Sequence, residues 1–123
     1  QQYIQQVQFS NKMMKKIVNE ILSKEKPAII IFQGDHGTAW DIDFSEPSKD
    51  DVWERFRILN AIYFPDEEKR KMLEDDRTLV NTFRIVFNSY FGSNYEILEN
   101  KMYWGWNSKP YYFEEVTNYL LEK

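Results

Sequence analysis

The stretch AIIIFQGDHG, Ala28–Gly37, joins five apolar residues to an acid and a histidine with a glycine on each side. An unbroken apolar run rich in β-branched residues predicts a strand buried on both faces, as in a parallel sheet. Gly34 and Gly37 reach backbone angles closed to other residues, so they allow the chain to turn beside the acid and the histidine. Residues that follow such a strand are well placed to bind a ligand.

The flanking segments predict a helix before this strand and a second strand after it. Apolar residues recur at helical spacing over Tyr3–Lys24, and Pro27 prevents the helix from continuing. A polar segment over Thr38–Asp51 predicts a long loop. Strand-forming residues then fill Phe56–Pro65 and end at a proline. A helix followed by a buried strand indicates the α/β class.

The C-terminal half predicts further short elements. A helix is expected over Thr78–Phe91, with Gly92 as its C-terminal stop. Leu79, Phe83, Val86 and Tyr90 share one face of that helix. Three weaker segments complete the prediction, namely a short helix within Asp66–Asp75, a strand over Met102–Trp106 and a helix or short edge element over Phe113–Leu121.

Composition excludes several classes of protein. The chain has 123 residues, enough for one domain. Hydrophobic residues make up 42% of the chain and aromatic residues 17%, a composition that excludes intrinsic disorder. A net charge of −4 offers no broad basic face, so no nucleic-acid partner is expected. Without cysteine there is neither a disulfide nor a thiolate zinc site. No apolar run approaches the roughly 20 residues of a membrane-spanning helix.

Asp35 and His36 are the candidate metal ligands. A carboxylate oxygen beside an imidazole nitrogen suits zinc, manganese or iron better than an all-oxygen site would. Two ligands do not complete a site, because a catalytic zinc takes about three protein ligands and a water. The alternative is that Asp35 caps the following turn and His36 is an ordinary loop histidine.

Two competing sites nearby are weaker. The segment from Asp41 has acids at the first and third positions of a calcium loop. Glu46 and Val52, however, stand where that loop requires glycine and glutamate, which argues against an EF-hand. Thr38 has a hydroxyl close to the candidate ligands, but no base lies near it in sequence, so it is interpreted as a turn residue.

Aromatic and basic residues form two further candidate groups. The C-terminal aromatics either stack a carbohydrate or cover a core edge. Three arginines can each clamp a phosphate or sulfate, yet their spacing does not indicate that they meet, so surface ion pairs are the default. The aromatic group comprises Tyr103, Trp104, Trp106, Tyr111, Tyr112 and Phe113, and the arginines are Arg55, Arg57 and Arg84.

Four blocks carry a resemblance to a known family. They are PAIIIFQGDHG, ERFRILNAIYFP, VNTFRIVFNSYFG and KPYYFEEVTNYL, and they resemble the C-terminal part of sulfatase-like proteins of the alkaline phosphatase superfamily. The first helix resembles the one that precedes the metal-binding strand in sulfatases and in lipoteichoic acid synthase-like phosphoglycerol transferases. The resemblance implies the C-terminal portion of an α/β/α sandwich with a mainly parallel sheet. It also implies that Asp35 and His36 bind a divalent metal, whether Mn, Zn, Mg or Ca.

In such enzymes a Ser, Thr or formylglycine nucleophile takes up the phosphoryl or sulfuryl group of an ester. The nucleophile and the other metal ligands would lie upstream of Gln1, so residues 1–123 are expected to be an inactive segment of one larger domain. The upstream part of the parent chain is then its partner. An extracytoplasmic, membrane-associated parent is favoured by the resemblance.

Two further expectations accompany this interpretation. A buried strand separated from its upstream neighbours leaves an exposed edge and apolar face, which predicts self-association. The alternative function is a noncatalytic module that binds a glycan or a protein through the aromatic C-terminal region.

Overall fold

The computed structural model describes residues 2–73, 78–106 and 108–121. The described elements, in chain order, are α1 (Gln2–Leu22), β1 (Ile30–Gln33), α2 (Lys49–Phe56), β2 (Asn60–Tyr63), α3 (Glu67–Arg70), α4 (Leu79–Tyr90), β3 (Tyr103–Trp106), β4 (Lys109–Glu115) and α5 (Thr117–Leu121). The protein is therefore of mixed α and β structure, as predicted. Residues 74 and 75, which close the predicted short helix, lie outside the described residues.

The strands of the described residues form two separate antiparallel pairs. β1 pairs with β2, from Ile30 opposite Tyr63 to Gln33 opposite Asn60, and β3 pairs with β4. The mainly parallel sheet that the sequence predicted is not found among the described residues. The physical reason is that an unbroken apolar run indicates that both faces of a strand are apolar. It does not indicate whether the neighbouring strand runs parallel or antiparallel.

The two faces of the β1–β2 pair are directed toward different elements. Ile31 and Ile62 pack against buried residues that include Ile85 of α4. On the other face, Phe32 lines a groove together with Met14 and Val18 of α1. α1 itself has no buried residue. Self-association of the chain remains a prediction.

α2 is a helix that the sequence analysis did not predict. Ser48 and Asp51 form a capping box, in which the Asp51 N–H donates to the Ser48 hydroxyl and the Ser48 N–H donates to the Asp51 carboxylate. Acidic residues in its first turn and Arg55 in its last turn complement the helix dipole. The predicted strand over Phe56–Pro65 is thus confirmed only over Asn60–Tyr63, and Phe56 belongs to the helix.

α4 confirms the predicted helix and part of its predicted apolar face, since Val86 is buried and Tyr90 packs against the same cluster of buried residues. It ends at Tyr90, and Gly92 follows with a φ of 67°. Phe83, predicted to share the apolar face, is 56% exposed, whereas the polar Asn81 is 1% exposed. Burial of Asn81 is stable because its amide donates to the Leu98 carbonyl at 2.7 Å and accepts from the Leu98 N–H at 3.0 Å.

Two hydrophobic clusters hold the described residues together. The Phe64 cluster consists of Phe64, Ile85 and Val86 and links β2 to α4. The Trp104 cluster consists of Val52, Trp104 and Val116 and links α2, β3 and the segment before α5. Across the described part of the chain, no helix combines the length and apolar character needed to cross a membrane.

Candidate functional site

The loop Gly34–Gly37 is anchored at both ends to other elements. The Gly34 N–H donates to the carbonyl of Leu59 at 2.9 Å, which extends the pairing of β1 with β2. The Gly37 N–H donates to the carbonyl of Arg55 at 2.6 Å, which fastens the loop to the last turn of α2. The two side chains between these anchors, Asp35 and His36, are therefore held by backbone contacts on both sides.

Gly37 is required by a close approach of two backbones. A Cβ at this position would overlap the carbonyl oxygen of Glu54 and lie 2.9 Å from that of Arg57 and 3.0 Å from that of Arg55. Backbone atoms cannot move aside as a flexible side chain can. The end of α2 therefore accepts only a residue without a side chain at position 37.

Gly34 has no comparable constraint. The nearest atom to a Cβ added there would be the Cβ of Ile58, at an ordinary 3.6 Å. Among the described glycines only Gly92 has a positive φ. The expectation that Gly34 and Gly37 supply unusual backbone angles was wrong, since the requirement at Gly37 is space.

Asp35 and His36 lie side by side in this loop. The Oδ1 atom of Asp35 accepts the His36 N–H at 3.0 Å, and its Oδ2 atom lies 3.5 Å from Nε2 of the imidazole. The other ring nitrogen, Nδ1, lies 2.9 Å from the carbonyl oxygen of Gly37. The side chain of Asp35 is 88% exposed and that of His36 is 51% exposed. Asp35 thus caps the loop through one oxygen and keeps the second beside the imidazole.

Arg55 contacts the imidazole from α2. Its Nη1 lies 2.7 Å from Nδ1 of His36 and 3.1 Å from the Gly37 carbonyl oxygen. Its guanidinium also lies 5.8 Å from the centre of the Phe44 ring. The side chain of His36 is therefore held between a carboxylate on one side and a guanidinium on the other.

Glu54 secures the segment that follows the loop. The Thr38 hydroxyl donates to the Oε1 atom of Glu54, and the Trp40 N–H donates to the same oxygen at 3.0 Å. Both hydrogen bonds lower the pKa of the Glu54 carboxyl, because they stabilise its charged form. The hydroxyl of Thr38 is thus committed to a structural hydrogen bond. This contact agrees with its interpretation as a turn residue.

An open cleft of about 1310 Å³ lies next to Asp35 and His36. Arg55 and Arg57 line it, and Arg57 stacks on the ring of Trp53 at 4.0 Å. Lys101 also lines the cleft but forms ion pairs with Glu99 at 3.1 Å and Glu115 at 3.9 Å. The hydrogen bond with Glu99 raises the pKa of Lys101.

The structure thus brings two of the three candidate arginines together. Arg55 and Arg57 share the cleft with His36, whereas Arg84 lies elsewhere and donates to the Glu96 carbonyl. Two guanidinium groups in one cleft can bind an anion such as phosphate or sulfate. The spacing of these residues in sequence did not indicate this arrangement, because it depends on α2.

The C-terminal aromatic residues do not form one surface. Trp104 is 4% exposed and belongs to the core, and Tyr103 and Phe113 line the cleft. Tyr111 and Tyr112 are 95% and 52% exposed on β4. The six aromatic residues therefore serve both alternatives in part, since Trp104 belongs to the Trp104 cluster and Trp106 packs against it, Tyr103 and Phe113 line the cleft, and Tyr111 and Tyr112 are exposed.

Asp35 and His36 fit a divalent cation as two of its ligands. Ligand bonds of about 2.0–2.2 Å allow two donor atoms on one ion to be up to about 4.2 Å apart, and Oδ2 and Nε2 are 3.5 Å apart. The Gly37 carbonyl can accept the opposite ring N–H, the usual support for a metal-binding histidine. Within the described ranges, no group of three His, Cys, Asp or Glu residues could hold a metal.

The contact between Arg55 and His36 was missing from the sequence analysis. The capping pair Ser48 and Asp51 was the available signal, since it predicts a helix whose last turn carries Arg55.

No protein-family model, curated protein or solved structure matches the chain. The site is therefore interpreted from its own chemistry.

Proposed function

We propose that this chain is the C-terminal segment of a metal-dependent sulfatase-like hydrolase or phosphotransferase of the alkaline phosphatase superfamily. Its substrates are sulfate or phosphate esters. Asp35 and His36 supply two ligands of a divalent cation, and the upstream part of the parent chain supplies the nucleophile and the remaining ligands. The observation that carries the proposal is the 3.5 Å separation of Asp35 Oδ2 and His36 Nε2, with Nδ1 facing the Gly37 carbonyl.

The residues of this chain have distinct roles in the proposal. A bound cation supplies Lewis-acid activation and neutralises charge on the transferred group. The Gly37 carbonyl orients His36, and the fastening of Gly37 to Arg55 keeps that carbonyl in place. Arg57 offers a guanidinium to the anionic ester in the cleft.

The proposal also concerns the fold of the parent protein. We infer that β1 and β2 join a larger, mainly parallel sheet between helix layers, with upstream strands completing it. Large sheets that are otherwise parallel commonly contain an antiparallel strand at one edge. The exposed apolar residues of α1, such as Ile4 and Phe9 at 61% and 64%, are then available to pack against that upstream part.

The test uses the full-length parent protein and two substitutions, Asp35→Asn and His36→Ala. We expect each to lower turnover of phosphate or sulfate esters by at least about 100-fold and to lower the bound metal content. Glu25→Gln, a charge change on an exposed residue outside the site, is the control and should leave both values unchanged. Full turnover in the His36→Ala protein would remove Asp35 and His36 from the mechanism.

A second candidate is a noncatalytic module that binds a glycan or a protein. The observation in its favour is the exposure of Tyr111 and Tyr112, at 95% and 52%. Exposed tyrosines can stack on a sugar ring or anchor a protein partner. Loss of glycan binding in Tyr111→Ala, together with normal ester turnover in His36→Ala, would favour this candidate over the enzyme.

A further inference from the structure

We infer that Arg55 and a bound cation compete for the imidazole of His36, so that Arg55 sets the tautomer of the metal-free ring and opposes metal binding. The inference rests on the proposed function, because it concerns the same cation. It identifies Arg55 as a positioning residue that acts through His36.

Two contacts of His36 require opposite tautomers. Arg55 can only donate, so its 2.7 Å contact requires a lone pair on Nδ1 and a hydrogen on Nε2. The carbonyl of Gly37 can only accept, so its 2.9 Å contact requires a hydrogen on Nδ1. A neutral imidazole carries one hydrogen and therefore satisfies one of these partners at a time.

The surroundings favour the hydrogen on Nε2 when no cation is bound. Nε2 then presents its hydrogen to the acceptor oxygen Oδ2 of Asp35, 3.5 Å away, instead of a repelling lone pair. The Gly37 carbonyl keeps a donor, since Nη1 of Arg55 also lies 3.1 Å from it. The tautomer with its hydrogen on Nε2 therefore suits the contacts of His36 with Arg55 and Asp35, and Arg55 takes the place of Nδ1 as the donor to the Gly37 carbonyl.

For Nε2 to hold a cation, His36 would have to adopt the other tautomer. Nε2 must give up its hydrogen to solvent and offer a lone pair, and Nδ1 takes a hydrogen from solvent, so that no net proton is released. The new Nδ1 hydrogen is donated to the Gly37 carbonyl and faces the Arg55 donor. Arg55 must then turn away from Nδ1. Because Arg55 lines the cleft that would hold the anionic ester, its guanidinium can then face that ester.

His36 can be observed without ambiguity because it is the chain's only histidine. Long-range ¹H–¹⁵N spectra of the 123-residue chain, recorded at a pH where the ring is neutral, report which nitrogen carries the hydrogen. The variants are Arg55→Met, which removes the donor, and Arg55→Lys, which keeps a donor and the charge. Arg57→Met is the matched control, because it removes a guanidinium that lines the same cleft but stacks on Trp53.

We expect the hydrogen on Nε2 in the original chain, in Arg55→Lys and in Arg57→Met, and a shift toward Nδ1 in Arg55→Met. Titration with Zn²⁺ should move the His36 signals in all four proteins. Arg55→Met should bind Zn²⁺ about tenfold more tightly than the Arg57→Met protein, because a hydrogen bond from a charged donor no longer has to be broken. Backbone ¹H–¹⁵N spectra establish that each variant is folded.

The outcomes separate this inference from the proposed function. An unchanged tautomer in folded Arg55→Met, or equal Zn²⁺ affinity in Arg55→Met and Arg57→Met, overturns the competition. If Zn²⁺ moves no His36 signal in any protein, the competition is overturned, whereas the metal site of the proposed function is decided separately by the metal content and turnover of the full-length parent, whose upstream part supplies the remaining ligands. The metal-free spectra still decide whether Arg55 selects the tautomer.

Discussion

The two hydrophobic clusters differ in how they are built, and the candidate site lies between them. The Phe64 cluster joins a strand pair to α4 and includes the aliphatic Ile85 and Val86. The Trp104 cluster is mainly aromatic at its edges, with Phe44 stacked on Trp104 at a centroid distance of 5.7 Å. β1 ends beside the first cluster, while Gly37 rests on α2, which belongs to the second.

This difference shows that the site depends on the junction of two cores. Asp35 follows a strand packed on the Phe64 cluster, whereas the Arg55 contact to His36 comes from the helix that carries Val52. Neither cluster alone brings these groups together. Changes that loosen one cluster or separate the two should therefore affect the site differently.

Phe64→Ala should have the largest effect on stability, a loss of about 3–5 kcal/mol in the free energy of unfolding, because Phe64 is fully buried. Hydrogen exchange should show faster amides in β1, β2 and α4 than in the β3–β4 pair. Trp104→Ala is the matched variant and should give the reverse pattern. Equal acceleration in every element for both variants would mean that the two clusters unfold as one unit.

Gly37→Ala should act on the junction, with a loss of about 1–3 kcal/mol or more in the free energy of unfolding. The added methyl overlaps backbone at the end of α2, and we expect the His36 imidazole signals to shift because Arg55 moves. Denaturant unfolding measures the first effect and NMR the second. Gly34→Ala, which meets no close atom, should change stability by less than about 1 kcal/mol. Similar losses in both variants would contradict the close approach at Gly37.

Glu54→Gln should have the smallest effect and appear mainly as a change in pH dependence. Because the folded carboxyl has a lowered pKa, its contribution to stability is present above the ordinary glutamate pKa, about 4.3, and is lost as the pH falls through the folded value. The variant should lose less stability than the original chain between about pH 5 and pH 3.

Urea unfolding at a series of pH values measures this difference. Glu46→Gln is the control, since it makes the same charge change on an exposed residue in the loop before α2. An identical pH profile in Glu54→Gln and the original chain would show that the contacts from Thr38 and Trp40 do not hold the carboxylate in its charged form.

Much of the secondary structure could be predicted from local pattern. Helical periodicity predicts α1 and α4, the apolar run and the strand-forming residues predict β1 and β3, and the glycine C-terminal signal predicts the stop at Gly92. α2 was missed because its apolar content is low, although Ser48 and Asp51 carried a capping signal. The buried face of α4 was partly wrong because Asn81 is satisfied by Leu98, a partner that periodicity cannot reveal.

The candidate site was predictable only in part. Asp35 and His36 are neighbours in sequence, so their proximity required no tertiary information. The contacts of His36 with Arg55 and of Gly37 with the end of α2 join residues almost twenty positions apart. No local rule indicates such contacts, because they depend on where the helix ends relative to the strand.

The sequence by itself determined an apolar strand that ends in an acid–histidine pair, and the helical periodicity and strand-forming residues around it, since these depend on side chains close along the chain. Only the tertiary structure decided the antiparallel partner of β1 and the face of α4 that is buried. It also decided the placement of Arg55 against His36. Each of these depends on pairing or packing between distant segments, and burial of apolar surface is non-directional and leaves the partner unspecified.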